Sequence, residues 1–455
     1  MPKLEMELLE PTYENALEAF SRNYLFRSDR VLETIYALYG SEKKVIVING
    51  DWGSGKTFFT KEIEAVLKSA NNNDAKRVEA YIQERTGKFH YVSYNDTDGI
   101  EKTDYPTKLM FPFYYDAWLH DYDGDPMLSL ILSMTDYLTV QPDNSKKIFS
   151  QIKQATIPIV KLLTKGVVDL GEFMMPGEDC ILLESMKAPQ RAATLEQEIK
   201  AYIDAILKSI NRPQIVVLID ELDRCRPDFA VDLLERIKHY FNCPGISFVI
   251  SANLTQLEHA IKARYGLNFD ARRYLKRFFD LELKLPQMRT ENFNKFYDYS
   301  WNYLDIRILN ALCDRYSLSL RDRIQLQKRL GLIGKFHISS SVDILTRDFV
   351  NTVIVPILVV LDYVEEEQKV KFLKGQSPEL LTCLVKQECA HDLAKFMSDS
   401  SHALGENDLE GALESIYEYL FMNEYSKRED LTVGRLVFYY NQMPSVIEEF
   451  NFVLI

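Results

Sequence analysis

The chain has 455 residues, 46% hydrophobic and 12% aromatic, enough for roughly two to four packed domains. A net charge of −13, a pI near 5.2 and the lack of any long basic run exclude a protein whose main task is coating nucleic acid. Six scattered cysteines, with no C-x-x-C pair and no His/Cys cluster at zinc spacing, exclude a disulfide scaffold or zinc module and fit reduced thiols in the cytoplasm.

The acidic N-terminus, MPKLEMELLEPTYENA, lacks the basic-then-apolar profile of a signal peptide. Up to about Gly40 the spacing of Leu25, Val31, Leu32, Ile35 and Leu38 predicts a helix. Phe26, Arg27 and Arg30 are weak candidates for contact with a nucleotide base there, against a packing helix with a solvated charged face. Val45–Ile48 then predicts a buried strand running into Asn49 and a glycine-rich turn, with a helix from Phe58. Gly50, Gly55, Lys56 and Thr57 satisfy G-x-x-x-x-G-K-[ST] in that strand–loop–helix setting. Glycines let backbone N–H groups curl around phosphate oxygens, and the helix aims its positive dipole end at the same anion. The stretch Gly50, Asp51, Trp52, Gly53, Ser54, Gly55, Lys56, Thr57 and Phe58 is therefore the expected nucleotide cradle. Lys56 is assigned to the β- and γ-phosphates and Thr57 to one position on Mg²⁺.

Phe89–Tyr94 and Met110–Tyr115 read as strands, and a helix is expected from Pro126 through Leu138. His120 has no partner at ligand spacing and reads as a surface or capping residue. Val140–Arg191 alternates amphipathic and loop character, as an insertion would. The apolar run Ile215–Ile219 predicts a central parallel strand ending in Asp220-Glu221. After a P-loop, a strand-end acid holds the Mg²⁺ hydration shell (Asp220), and the next acid polarises the attacking water (Glu221). Asp223 and Arg224 are expected just outside that shell. A third strand, Ile246–Ser251, ends at Asn253, which reads equally as a γ-phosphate sensor and as a turn former. Arg264, Arg272, Arg273, Lys276 and Arg277 form a local basic cluster before a strand at Leu281–Leu285.

From Pro286 the pattern is helical: Thr290–Leu304, Ile306–Tyr316, Leu320–Leu330, Arg347–Val364, Glu379–Met397 and Leu409–Tyr419 all carry apolar residues at helical spacing. Arg321 follows an N-cap signal at Ser317–Ser319 and is a candidate nucleotide contact from a helical lid, against a solvated helix-start arginine. Ile157–Met175 is too charged to span a membrane. Val353–Leu361 is far shorter than the ~20 residues a bilayer needs and contains Pro356, so it reads as a buried helix. The expected divisions are an NTPase core over 1–286 with an insertion at about 140–191, a helical lid over 287–340 and a helical C-terminal domain over 341–455.

Several stretches together resemble the KAP family of P-loop NTPases, in the additional-strand division that includes the STAND and AAA+ groups. They are GDWGSGKT with Trp52, YDAWLHD around Trp118, IDELDRCRP, RRYLKRFFDLELKLP and, more loosely, SLSLRDRI, covering roughly Arg27 to Leu330. The resemblance implies a three-layer α/β core with a parallel sheet, followed by an all-helical region, and places the Asp220 strand between the P-loop strand and another strand. It implies ATP hydrolysis with Mg²⁺ through Lys56, Thr57, Asp220 and Glu221, with Arg277 or Arg273 as arginine finger or sensor. Many relatives insert transmembrane helices between the P-loop and the Asp-rich strand, where this chain has only the charged Ile157–Met175 segment. Relatives often carry two aspartates where this chain has Asp220-Glu221. Bacterial relatives are implicated in excluding phages, and animal relatives in membrane-linked signalling.

The expected function is a cytoplasmic, Mg²⁺-dependent ATPase acting as a nucleotide-gated switch, its output a protein effector or homo-oligomeric assembly in antiviral defence or signalling. The alternatives are a nucleotide-binding scaffold with little turnover, a DNA-remodelling ATPase, which the acidic chain disfavours, and a small-molecule kinase, for which no substrate-binding constellation is visible. The residues do not distinguish ATP from GTP.

Overall fold

A computed structural model describes residues 10–23, 27–40, 42–70, 74–85, 87–95, 101–140, 146–164, 188–285, 304–333, 342–387, 389–398, 404–421, 429–443 and 446. The chain divides into two compact units, Met1–Pro286 and Gln287–Ile455.

The first unit opens with helices α1 (Tyr13–Ser21) and α2 (Ser28–Leu38), followed by β1 (Val45–Asn49) and α3 (Lys56–Ser69). An antiparallel hairpin, β2 (Val92–Asn95) and β3 (Glu101–Asp104), stands apart from the main sheet, so the strand expected at Phe89–Tyr94 does not join it. Then come β4 (Met110–Asp116), α4 (Pro126–Val140), α5 (Lys146–Thr164), α6 (Ala188–Ile210) and β5 (Gln214–Asp220). The unit closes with α7 (Pro227–Tyr240), β6 (Ile246–Ala252), α8 (Leu254–Tyr265), the short α9 (Ala271–Leu275) and β7 (Leu281–Lys284).

The main sheet is parallel, in the order β4-β5-β6-β1-β7. The Asp220 strand does lie between the P-loop strand and another strand, β4, but β6 intervenes between β5 and β1. Every residue of β5 and β6 is buried, which explains why these strands read as continuous apolar runs rather than alternating ones. Two-residue periodicity still assigns each side chain to a layer. Ile215, Val217 and Ile219 pack with α4, α6 and α7, whereas Val216 and Leu218 pack with α1, α2 and α3 on the opposite face. Within the stretch read as an insertion, Ile152, Ile159 and Leu162 of α5 belong to the first of these layers; residues 165–187 lie outside the described residues.

The second unit gathers α10 (Leu304–Arg315), α11 (Leu320–Ile333), α12 (Ile344–Val364), α13 (Glu406–Phe421) and a small hairpin of β8 (Leu431–Val433) and β9 (Leu436–Phe438) around one hydrophobic core. The helix expected at Thr290–Leu304 falls, except for Leu304, outside the described residues. Among the described residues α12 alone is long and apolar enough to cross a membrane, and 67% of its apolar window is buried inside the unit. The helix runs through Pro356 because a wider π-helical turn, Val350–Ile354, immediately precedes it and absorbs the missing N–H bond.

Candidate functional site

The carboxyl ends of β1, β5 and β6 carry the residues singled out in the sequence, and neighbouring positions of a parallel sheet bring them together. After β1, Gly53 (φ 76°) and Gly55 (φ 84°) adopt left-handed conformations that side-chain-bearing residues avoid, and α3 begins at Lys56. A Cβ on Gly50 would lie 2.6 Å from Ser54 Oγ, so a side chain there would force Ser54 to move. Lys56 Nζ curls back and donates to the carbonyls of Gly50 (2.7 Å) and Asp51 (3.0 Å). Burial lowers the Lys56 pKa, while Asp223, Asp220, Glu221 and Asp51 act to raise it. Ser54 Oγ is buried without a hydrogen-bond partner among the described residues.

At the end of β5, Asp220 is 1% exposed. Its Oδ2 accepts from the Tyr114 hydroxyl of β4 at 2.9 Å, and its Oδ1 accepts from the Glu221 backbone N–H at 2.9 Å. Glu221 follows in a left-handed conformation (φ 59°, ψ 25°). Its Oε1 accepts from Thr57 Oγ1 at 3.3 Å, and its Oε2 forms an ion pair with Arg224. Burial and the neighbouring Asp220 charge raise the Glu221 pKa, and Arg224 opposes them. A further link joins the two loops: Trp52 Nε1 donates to Asp223 Oδ2 at 2.9 Å.

Asn253 caps α8, its Oδ1 accepting from the N–H groups of Thr255 (3.0 Å) and Gln256 (3.3 Å). Its Nδ2 reaches Asp51 Oδ1 in the P-loop at 3.5 Å. The cap uses one side of the amide and the contact with the P-loop the other. Because β6 is the strand between β1 and β5, its end falls between the phosphate loop and the acidic pair.

Phe58 is buried, with the Arg27 guanidinium 5.7 Å from its ring centroid and 5.4 Å from that of Phe59. Arg27 Nε also pairs with the fully buried Glu62 of α3 at 2.8 Å. Arg27 thus serves α3 directly, and Arg30 pairs with Glu33 on the surface. Arg273 lies on α9 and Arg277 just beyond it; both are exposed, and among the described residues neither side chain has an ion-pair or hydrogen-bond partner. Arg321 lies on α11, in the second unit. His120 stacks on Tyr115 and pairs with Asp123, a local structural role.

The family profile described as the KAP family P-loop domain matches residues 27–320. The chain belongs to the KAP family of P-loop NTPases. No curated protein matches it. A KAP P-loop domain implies a nucleotide site, and the residues present fit one. Lys56 Nζ rests on the Gly50 and Asp51 carbonyls, and Ser54 Oγ, buried without a partner among the described residues, together with the left-handed Gly53 and Gly55 fits a loop that receives an anion. A P-loop NTPase domain usually binds Mg²⁺ with its nucleotide, and Thr57 Oγ1 and the Asp220 carboxylate are the oxygens that would hold it together with phosphate and water.

One neighbour of this KAP site is not legible in the sequence: Tyr114 reaches Asp220 from an adjacent strand, and no local spacing announces a cross-strand partner. Arg224, three residues from Glu221, stands beside the acidic pair and forms an ion pair with Glu221.

Proposed function

We propose that the protein is a Mg²⁺-dependent ATP hydrolase that works as a nucleotide-gated switch. The observation that carries this reading is the convergence of Lys56, Thr57, Asp220, Glu221 and Asn253 at the carboxyl ends of three adjacent strands, where open α/β sheets bind ligands. Lys56 neutralises the β- and γ-phosphates, and Glu221 orients and polarises the attacking water. When bound beside Thr57 and Asp220, Mg²⁺ supplies charge neutralisation for the phosphates. Asn253, linked to Asp51 and to the start of α8, passes the state of the γ-phosphate to a helix. Arg273 and Arg277 complete the site from a neighbouring copy, which their exposure and lack of side-chain partners among the described residues support. The output, as family membership suggests, is assembly or a protein effector in antiviral defence or signalling.

The test is ATP turnover by wild type and Glu221→Gln over a range of protein concentrations, with particle size measured alongside. Specific activity that climbs with concentration, and a mutant that stays loaded in a larger assembly, support the switch. Binding without phosphate release by wild type at any concentration would overturn the hydrolase. A second reading, a binding scaffold with little turnover, is favoured by one observation: Glu221 has both carboxylate oxygens engaged.

A further inference from the structure

Glu221 is restrained from several sides. Its carboxylate lies between the Arg224 guanidinium and the Thr57 hydroxyl. Its backbone N–H is held by Asp220 Oδ1 (2.9 Å), and its carbonyl accepts from the Arg224 N–H (3.1 Å). A left-handed glutamate is uncommon, and a strained conformation of this kind persists where its surroundings over-determine it. The ion pair is also sheltered: side-chain exposure is 27% for Arg224 and 16% for Glu221. The guanidinium carbon lies 5.4 Å from the ring of Trp118, which is itself 51% exposed.

A general base must offer an oxygen to the proton it takes, and a guanidinium on that carboxylate occupies its lone pairs. The pair therefore works against the role assigned to Glu221 above, on which this argument rests. From this geometry we infer that Arg224 is a positioning residue that withholds Glu221 from the attacking water, and that turnover requires the guanidinium to leave the carboxylate. The Trp118 face is the alternative seat for the released side chain, since a planar cation stacks on an indole without needing a carboxylate. Asp223, pinned by Trp52 of the P-loop, ties the arginine's own turn to the phosphate loop, so displacement of that loop reaches Arg224 through one intervening residue.

The experiment compares wild type, Arg224→Ala, Arg224→Gln, Arg224→Lys and Glu221→Gln, measuring kcat, KM and the Kd for a non-hydrolysable ATP analogue by Trp fluorescence. Arg224→Ala is expected to raise kcat roughly three- to tenfold, the population shift from losing a partly shielded ion pair, with Kd unchanged. Arg224→Lys keeps the charge and is expected to stay near the wild-type rate, whereas Arg224→Gln removes the charge at similar length, is expected to gain like Arg224→Ala, and serves if the alanine variant fails to fold. Adding Glu221→Gln to Arg224→Ala is expected to abolish the gain. A fall in kcat for Arg224→Ala at unchanged Kd would show that Arg224 assists the chemistry, and an unchanged kcat would show an idle pair; either overturns the inference. These outcomes are separable from failure of the hydrolase itself. In that case wild type, Arg224→Ala and Glu221→Gln all bind the analogue and none releases phosphate.

Discussion

The Tyr114 hydroxyl donates to Asp220 Oδ2 at 2.9 Å, across the boundary between β4 and β5. The Lys61 ammonium of α3 lies 3.1 Å from the centroid of the same phenol ring. A tyrosine on one strand therefore sets the direction of a carboxylate on the next, while the P-loop helix holds the tyrosine. Removing the hydroxyl frees Asp220 to rotate without changing its charge. Tyr114→Phe is expected to raise the Mg²⁺ concentration needed for half-maximal analogue binding by roughly tenfold, as loss of an orienting partner does at metal sites. Binding measured without Mg²⁺ should be unchanged. A Mg²⁺ titration followed by Trp fluorescence checks both.

Among the described residues Lys56 donates only to backbone carbonyls, so its replacement removes a phosphate partner without stranding a buried carboxylate of its own. Lys56→Ala is expected to weaken ATP binding by about 2 kcal/mol, ~30-fold in Kd. Thermal stability should stay near that of wild type, since the lysine's charge is disfavoured by burial. Calorimetric titration and a melting curve together test the pair of expectations.

Asn253 has two functions on two atoms, and two substitutions separate them. Asn253→Ala loses the cap of α8 and is expected to lower stability by about 1 kcal/mol. Asn253→Asp keeps an accepting oxygen for Thr255 and Gln256 but replaces the amide that faces Asp51 with a second negative charge. It should melt near wild type yet hydrolyse ATP several-fold more slowly. Equal turnover by Asn253→Asp and wild type would leave the residue a cap only.

Gly55 sits at φ 84°, a conformation that costs other residues ~1–2 kcal/mol. Gly55→Ala is expected to destabilise the unit by about that amount and to weaken ATP binding more than the strain alone would, because Gly55 is also the residue that starts α3 toward the phosphates. Chemical denaturation and analogue binding measured on the same preparation give the two numbers.

The Arg27–Glu62 pair predicts a pH dependence. Burial pushes the Glu62 pKa from 4.5 up to about 7, against the pull of the Arg27 guanidinium. The folded protein thus keeps a proton that the unfolded chain releases. This contribution is fully present below pH 4.5 and is lost as pH rises through about 7, at up to ~1.4 kcal/mol per unit between those values. Denaturant midpoints for wild type should fall over that window. Glu62→Gln, which stays neutral at every pH, should show no such slope and should lose less stability than wild type as pH rises through about 7. A wild-type slope of the opposite sign would exclude Glu62 as the titrating group.

By itself the sequence determined the parts whose physics is local. Val45–Ile48, Ile215–Ile219 and Ile246–Ser251 declare buried strands because consecutive apolar residues suit a sheet covered on both faces. The glycine positions and Lys56-Thr57 declare the phosphate turn because left-handed backbone and a free helix N-terminus are needed within a few residues. Tertiary structure decided everything that depends on which segments meet. It set β6 between β1 and β5, carrying Asn253 to the centre of the site, and left β2 in a hairpin outside the main sheet. It brought Tyr114 to Asp220, Trp52 to Asp223 and Arg27 to Glu62 over separations of 106, 171 and 35 residues. Periodicity reports which face of a strand or helix is buried, but not what is buried against it. Tyr114 and Thr57, the partners that reach the acidic pair from other elements, emerge only once the sheet is assembled.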